Sequence, residues 1–331
     1  MPDRINIGII GCGAIAAKHG EALSNIPEAR LAAACDTSSE RVQRFVSQYG
    51  CTACEDYRRI LDDPGIEVVI ITTPSGLHAR MGLDALDAGK HTLVEKPLSL
   101  NTSGAASLAE HARSRGRCLG TVHPNRTYPT SLMIHQALED NILGKLSHGV
   151  ATLRWNRIQA YYEEAPWRKL HAMDGGILFN QAWHALDLLL WFMGPVSGTQ
   201  RMGATRLHQI ETDDIALVNM KFKSGALGLV EATTNVYPKN LEQTISIFGE
   251  KGTIILGGNR IDALKLWRVD GDDEKEVLSK WGEETAPRHS GNWAHEQVLR
   301  EFLEQISSGT IISPSVEGAL EAIRVCEGGC R

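Results

Sequence analysis

The chain has 331 residues and a formal net charge of −6, and none of its apolar runs reaches the roughly eighteen residues of a membrane span. That balance offers no basic footprint for nucleic acid, and the length suggests about two domains. The first residues enter an apolar run at once, without a leader pattern, so a soluble cytoplasmic protein is expected.

The opening run Ile5-Asn6-Ile7-Gly8-Ile9-Ile10 reads as a strand that breaks into Gly11-Cys12-Gly13-Ala14-Ile15-Ala16 and then into helix-forming residues. Gly-x-Gly-x-x-Ala between a strand and a helix is the dinucleotide-binding, or Rossmann, fingerprint. Gly11 suits the tight turn, Gly13 admits the backbone to a pyrophosphate, and Ala16 takes the position of close helix–strand packing. Ala14 and Ile15 open the helix end, whose N–H groups favour an anion. Such turns also serve purely structural corners. Here, however, the next apolar run, Leu31 to Cys35, ends in Asp36, where a ribose hydroxyl pair needs an acceptor. That carboxylate repels a 2′-phosphate, so NAD is expected over NADP, with Arg41 and Arg44 weighing the other way.

Strand and helix patterns then alternate, with helices at 14–26, 38–49, 56–62, 77–88 and 101–115 and strands at 30–35, 51–54, 68–73, 91–94 and 117–122. This is the rhythm of a parallel sheet. Ligands bind beyond the carboxyl ends of such strands, which puts Thr73, Pro74, Ser75 and His78 at the cofactor edge. His78 reads equally well as a surface histidine. Strand 91–94 delivers Glu95-Lys96-Pro97 to the same edge. A lysine there can donate to a substrate oxygen and stabilise developing charge, whereas in isolation it reads as a solvent-facing lysine before a turn. Pro97 fixes the backbone beside it, and an X-Pro bond is where a cis peptide occurs.

Of seven cysteines, Cys12, Cys35 and Cys118 fall in or beside predicted buried strands, where reduced cysteine acts as a small apolar residue. Cys51-Thr-Ala-Cys54 has redox or half-zinc spacing but no second pair, and Cys326 and Cys330 read as incidental, so no metal is expected.

His123-Pro124-Asn125-Arg126 opens a different organisation, with strand-like runs at 146–155, 196–207, 214–223, 226–235, 242–248 and 253–257. Hairpin patterns such as Phe222-Lys223-Ser224-Gly225-Ala226 predict a largely antiparallel sheet. The fold class expected is α/β: an N-terminal Rossmann domain, residues 1–123, plus a C-terminal α/β domain, residues 124–331, with a large, mostly antiparallel open sheet. Residues 270–290 read as a charged loop, and 293–307 and 315–325 as closing helices able to return to the first domain. Between the strands, Asp174-Gly175-Gly176 precedes an apolar helical pattern that places Asn180, His184 and Asp187 within one or two turns on neighbouring faces. A histidine in such a helix is more often a satisfied core residue, and no further ligand stands at metal-site spacing.

Gly11–Ala16, Glu95-Lys96-Pro97 and the helix with His184 and Asp187 together resemble the glucose–fructose oxidoreductase / inositol dehydrogenase (Gfo/Idh/MocA) family over nearly the whole chain. The resemblance implies that Lys96 and His184 flank a nicotinamide, with His184 as the acid/base, and that the open sheet builds a dimer or tetramer. Many members carry aspartate where this chain has Asn180. Tyr161-Tyr162, Trp167-Arg168, Asn180-Gln181, Gly194-Pro195-Val196, Tyr237-Pro238-Lys239-Asn240-Leu241-Glu242 and Gly249-Glu250-Lys251-Gly252-Thr253 are similar to the branch of UDP-N-acetylglucosamine and UDP-N-acetylglucosaminuronate 3-dehydrogenases, which share that asparagine.

The expected reaction is therefore oxidation of C3 of a UDP-N-acetylhexosamine by NAD, with His184 taking the proton and Lys96 favouring the alkoxide. Cofactor contacts are assigned to Gly11, Gly13, Ala14, Ile15, Asp36, Thr73, Pro74, Ser75, His78, Glu95, Lys96 and Asn125. Substrate contacts are assigned to Lys96, Asn125, Arg126, Arg168, Asn180, His184, Tyr237 and Asn240, the outer ones equally readable as structural surface pairs. Oxidation of a free sugar or cyclitol is the rival within enzymes, and a non-catalytic NAD-binding sensor the rival outside them.

Overall fold

The computed structural model describes residues 4–282 and 292–328. Its first part alternates β1 (Ile5–Ile10), α1 (Ala14–Ser24), β2 (Ala29–Cys35), α2 (Ser39–Tyr49), β3 (Thr52–Cys54), α3 (Arg58–Asp62), β4 (Val68–Ile71), α4 (His78–Asp87), β5 (His91–Val94), α5 (Thr102–Arg115) and β6 (Leu119–Thr121). The strands pair in parallel in the order β3-β2-β1-β4-β5-β6, the doubly wound arrangement. Val68, Val69, Ile70 and Ile71 are at most 1% exposed, as a strand covered on both faces requires. Each such aliphatic side chain contributes about 1.5–3 kcal/mol on burial. Pairing of β4 stops at Ile71 opposite Ile10, short of the expected Thr73, because the Thr72 hydroxyl turns back to the carbonyls of Ile10 and Gly11.

The second part holds α6 (Pro129–Glu139), β7 (Leu146–Arg154), α7 (Gln159–Glu163), α8 (His171–Asp174), α9 (Ile177–Asn180), α10 (Trp183–Met193), β8 (Val196–Ala204), β9 (Ile215–Phe222), β10 (Leu227–Thr233), β11 (Glu242–Gly249), β12 (Gly252–Gly257), β13 (Ala263–Val269) and α11 (Glu274–Trp281), followed by α12 (Trp293–Ser307) and α13 (Pro314–Glu327). Its seven strands run β13-β12-β11-β7-β10-β9-β8, antiparallel except for the parallel pair β7–β10. The fold is thus α/β, with a parallel Rossmann sheet and a second, mostly antiparallel one.

Three elements depart from expectation. Residues 129–139 form a helix opened by Pro129 at its first turn, and 263–269 form the edge strand β13. Part of the expected charged loop is α11. Asp273 caps it by accepting from the N–H groups of Lys275 and Glu276, and Glu274 and Glu276 occupy the first turn, where the helix dipole favours acids. Residues 283–290 of that expected loop, and Cys330, lie outside the described residues.

Among the described residues the chain divides into two compact units: residues up to Pro124 with Asn292–Leu320, and Asn125 onward with the residues from Glu321. In the first, α12 packs on α1 and sends Val298, Leu299, Phe302 and Leu303 into the core formed by Ile7, Ile9, Val68, Ile70 and Leu93. A Cβ added to Gly120 would come within 2.7 Å of the Phe302 ring, so β6 and α12 meet without room to spare. No described helix is long and apolar enough to cross a membrane.

Candidate active site

The glycine turn closes β1 as its spacing implies. Gly11 has φ +100°, its N–H donates to the Cys35 carbonyl at 2.7 Å, and a Cβ there would lie 2.8 Å from the Thr72 carbonyl oxygen. Gly13 differs, because nothing lies within 4 Å of an added Cβ. It is the extended N-cap of α1, offers no capping side chain, and is followed by a first turn without acids at Ala14 and Ile15. Uncapped N–H groups beside open space fit the pyrophosphate of a dinucleotide. Ala16 is fully buried.

Asp36 follows β2 and is tightly held. Its Oδ2 accepts from the Cys12 N–H at 2.8 Å, and its Oδ1 accepts from the Ser38 N–H at 2.8 Å and from Arg41 at 2.7 and 3.1 Å. Burial pushes this carboxyl up, but the Arg41 and backbone hydrogen bonds outweigh it and hold the group below its ordinary value. Arg41, the residue weighing toward a 2′-phosphate, pairs with the carboxylate assigned to the ribose. At the end of β4 the Thr73 hydroxyl is buried and has no hydrogen-bond partner among the described residues, a polar atom that a cofactor at this edge can satisfy. Pro74 and Ser75 start a short 3₁₀ turn, with Ser75 buried. The residues present therefore fit NAD.

Two of the residues assigned to the cofactor also have partners within the protein. His78 is 1% exposed rather than at the surface, and its ring bridges two carbonyls, Nδ1 at 2.7 Å from Pro97 O and Nε2 at 2.8 Å from Thr73 O. It ties the loop after β4 to the loop after β5. Burial, only partly offset by those carbonyls, pushes its pKa down. Glu95 is buried and has both oxygens committed internally: Oε1 lies 2.9 Å from His19 Nε2, and Oε2 accepts from the Lys96 N–H at 3.1 Å. Lys96 itself is half-buried at the end of β5 and joined to Pro97 by a cis bond.

In the second unit the helix expected after Asn180 is α10, and a separate short helix, α9, precedes it. Asn180 ends α9 and His184 lies in the first turn of α10, with Ala182 between them at ψ −4°. Asn180 and His184 are half-buried, whereas Asp187 is buried and faces elsewhere. Asp187 receives both arms of Arg126, Nε to Oδ2 at 2.9 Å and Nη2 to Oδ1 at 2.5 Å, and that guanidinium also lies over Trp191. Arg126 is thus an internal partner of Asp187. Asn125 is buried with its amide donating to the Arg260 carbonyl at 2.8 Å.

The Asn180 amide donates to the buried carboxylate of Asp174, and its oxygen accepts from Gln181 at 3.2 Å. Gln181 also donates to the Tyr161 hydroxyl at 2.7 Å and accepts from Arg157 at 2.9 Å. Over the Tyr161 ring lie two guanidinium groups, Arg168 at 4.1 Å and Arg157 at 5.1 Å from its centroid. Arg157 also covers Trp155, and Asn240 accepts from the Asn156 N–H at 2.9 Å. Asn180, Arg168 and Asn240 therefore share one network, while Tyr237 stands apart, 91% exposed. Tyr161 and Gln181 entered the sequence reading only as carriers of the resemblance, without a role, and Arg157 was missed; its signal was the Trp155-Asn156-Arg157 run just past β7.

In the Cys51-Thr-Ala-Cys54 spacing, burial pushes Cys51 up to about 11 and raises Cys54, which disfavours the thiolate at both.

A family model described as the GFO/IDH/MocA oxidoreductase family, NAD-binding Rossmann fold, matches residues 5–123, and the GFO/IDH/MocA C-terminal domain matches residues 132–255. The chain is 27% identical to myo-inositol 2-dehydrogenase of Thermotoga maritima, over 95% of this chain and 91% of that one. It is 24% identical to levoglucosan dehydrogenase of Pseudarthrobacter phenanthrenivorans, over 94% and 91%. Among solved structures it is similar to the WlbA dehydrogenase of Bordetella pertussis in complex with NADH and UDP-GlcNAcA, with TM-score 0.91 and 26% identity over 99% of this chain and 95% of that one.

Proposed function

The chain belongs to the Gfo/Idh/MocA oxidoreductase family, and on that footing we propose that it oxidises C3 of a UDP-N-acetylhexosamine, UDP-N-acetylglucosamine or its uronate, to a 3-keto sugar. Family membership makes it an NAD-dependent oxidoreductase, and bound NAD supplies the hydride acceptor. His184 takes the hydroxyl proton, as a side chain whose ordinary pKa lies near neutrality. Lys96 donates a hydrogen bond to the oxygen on which charge develops.

The observation that carries the substrate class is the pair Arg157 and Arg168. Both lie over Tyr161 within the Asn180 network, and among the described residues neither meets a carboxylate. Two uncompensated guanidinium groups beside a sugar site suit a diphosphate or a carboxylate, which accept bidentate hydrogen bonds. The likeness to a dehydrogenase crystallised with UDP-GlcNAcA supports the same reading. We infer further that the chain assembles as a homo-oligomer, and the exposed Leu217 and Leu227 of the large sheet are the surface to probe by light scattering.

The likeness to inositol and levoglucosan dehydrogenases favours a second reading, oxidation of a free sugar or cyclitol. NADH formation measured in parallel with UDP-N-acetylglucosamine, its uronate, myo-inositol, levoglucosan and glucose separates the two. Turnover confined to the UDP-sugars supports the proposal, and turnover of free polyols alone overturns it.

A further inference from the structure

Behind Lys96 the first unit holds a closed cluster that no step of the proposed reaction uses. His19 from α1, Glu95 from the end of β5 and His295 from α12 are all buried, and their ligand-capable atoms lie within 4.8 Å of one another. His19 Nε2 and Glu95 Oε1 are 2.9 Å apart, and the His295 ring stands edge-on to His19, interplanar angle 88° with centroids 5.4 Å apart. The other oxygen of Glu95 accepts the backbone N–H of Lys96. Three segments far apart in sequence thus converge on the residue that precedes Lys96.

A buried carboxylate is stable only where hydrogen bonds and neighbouring charge compensate its lost hydration. Here both oxygens are engaged, and the charged or titratable groups that act on it are His19, His295 and Lys96. Burial alone raises Glu95, but the His19 hydrogen bond and these groups bring it down to about 2, so it stays an anion. His295 lies at about 3, chiefly through burial and then through the charge on His19, and stays neutral. His19 rides on the helix that opens at Gly13, so the helix that receives the pyrophosphate also braces the strand end that carries Lys96.

We propose that His19 and Glu95, with His295 seating the His19 ring, are positioning residues for Lys96: they fix its backbone and place a permanent anion behind its ammonium. This inference rests on the reading of Lys96 as the substrate-oxygen donor. The same three residues could instead be read as ligands of a zinc ion. The hydrogen-bond separation between His19 and Glu95, and the use of the second Glu95 oxygen by a backbone N–H, favour the hydrogen-bonded reading.

The test compares wild type, His19→Leu, His19→Gln and Glu95→Gln, using the reactivity of Lys96 rather than turnover as its first readout. Competitive acetylation followed by mass spectrometry reports the pH midpoint of Lys96 labelling, and NADH fluorescence reports cofactor affinity. In Glu95→Gln the labelling midpoint moves to lower pH by about one unit, as loss of a nearby anion requires, and in His19→Leu it moves the same way by less, because a carboxylate without its donor turns aside or takes up a proton, while NADH affinity stays within about threefold in both. His19→Gln, which keeps a donor, restores most of the midpoint. With an oxidised substrate in hand, kcat falls about tenfold or more in His19→Leu with little change in KM. An unchanged Lys96 midpoint in both His19→Leu and Glu95→Gln overturns the proposal. So does stoichiometric zinc in the wild type that His19→Leu lacks. If His19→Leu does not fold, Glu95→Gln decides alone. Failure of every UDP-sugar to react leaves the labelling result standing, so the two readings fail separately.

Discussion

The side-chain amide of Asn180 donates to the buried carboxylate of Asp174, the residue just before the glycine pair. The pairing requires a donor at position 180, which asparagine supplies and aspartate does not. A carboxylate at 180 would face a second carboxylate at hydrogen-bond distance, and one of the two would have to take a proton or move away. Asn180→Asp is therefore expected to cost about 1–3 kcal/mol in urea denaturation and to lower turnover. Asp174→Asn in the same chain restores a donor–acceptor pair and recovers most of that loss. A double variant no better than the single one refutes the assignment.

Arg157 and Arg168 give the proposal its substrate class, and their removal sorts substrates. Arg157→Ala and Arg168→Ala are each expected to raise KM for an anionic sugar nucleotide about tenfold or more, with a smaller effect on any neutral sugar that reacts. Equal effects on neutral and anionic substrates would point to a packing role against Tyr161 instead.

Arg126 behaves differently. Arg126→Met leaves Asp187, whose side chain is 2% exposed, without its guanidinium, at a cost of about 3–5 kcal/mol. Thermal unfolding should shift down by roughly 6–20 °C. The KM of the protein that remains folded should be nearly unchanged. A raised KM at constant Tm would return Arg126 to the substrate site.

Acid should destabilise the first unit through His295 before it does so through Glu95. His295 is neutral when folded and held at about 3, whereas in the unfolded chain it titrates near 6.5. The unfolded state then binds the extra proton, so this contribution to stability declines as pH falls from about 6.5 towards 3. Glu95, lowered from 4.5 to about 2, contributes stability above 4.5 that is lost as pH falls towards 2. A Tm series from neutral pH downward should flatten in His295→Phe between about pH 6.5 and 4.5, and an unaltered slope would show that His295 is not the group responsible.

Lys96→Met and His184→Asn should each abolish turnover of whichever sugar reacts while NADH still binds, because neither removes the glycine turn or Asp36. Wild-type activity in either variant removes that residue from the mechanism.

What was legible in the sequence was local. The glycine turn, Asp36 and the run Val68–Ile71 could be placed because their chemistry is contained in a few neighbouring residues. What was not legible depended on distant partners. Glu95 reads as a cofactor ligand until His19, 76 residues earlier, takes its carboxylate, and Arg126 reads as a free cation until Asp187, 61 residues later, claims both its arms. The first residue of the helix after Asn180 was illegible for another reason. Its apolar pattern continues through Ala182, whose near-zero ψ no composition reports. Among acids crowded at 270–276, charge density masked an N-cap and first turn.

The packing of α12 into the first unit has a consequence for how the chain is made. Ile7 and Ile9 leave the ribosome among the first residues, yet Phe302 and Leu303, which complete their core, come nearly three hundred residues later. At about 5–20 residues per second the unfinished Rossmann unit waits roughly 15–60 s for its last layer, while the sheet of the second unit is already available to form. The domain that begins the chain is therefore sealed only after the whole second sheet has been made, and truncations that spare every cofactor and substrate residue but stop before Phe302 should yield a chain that cannot hold NAD.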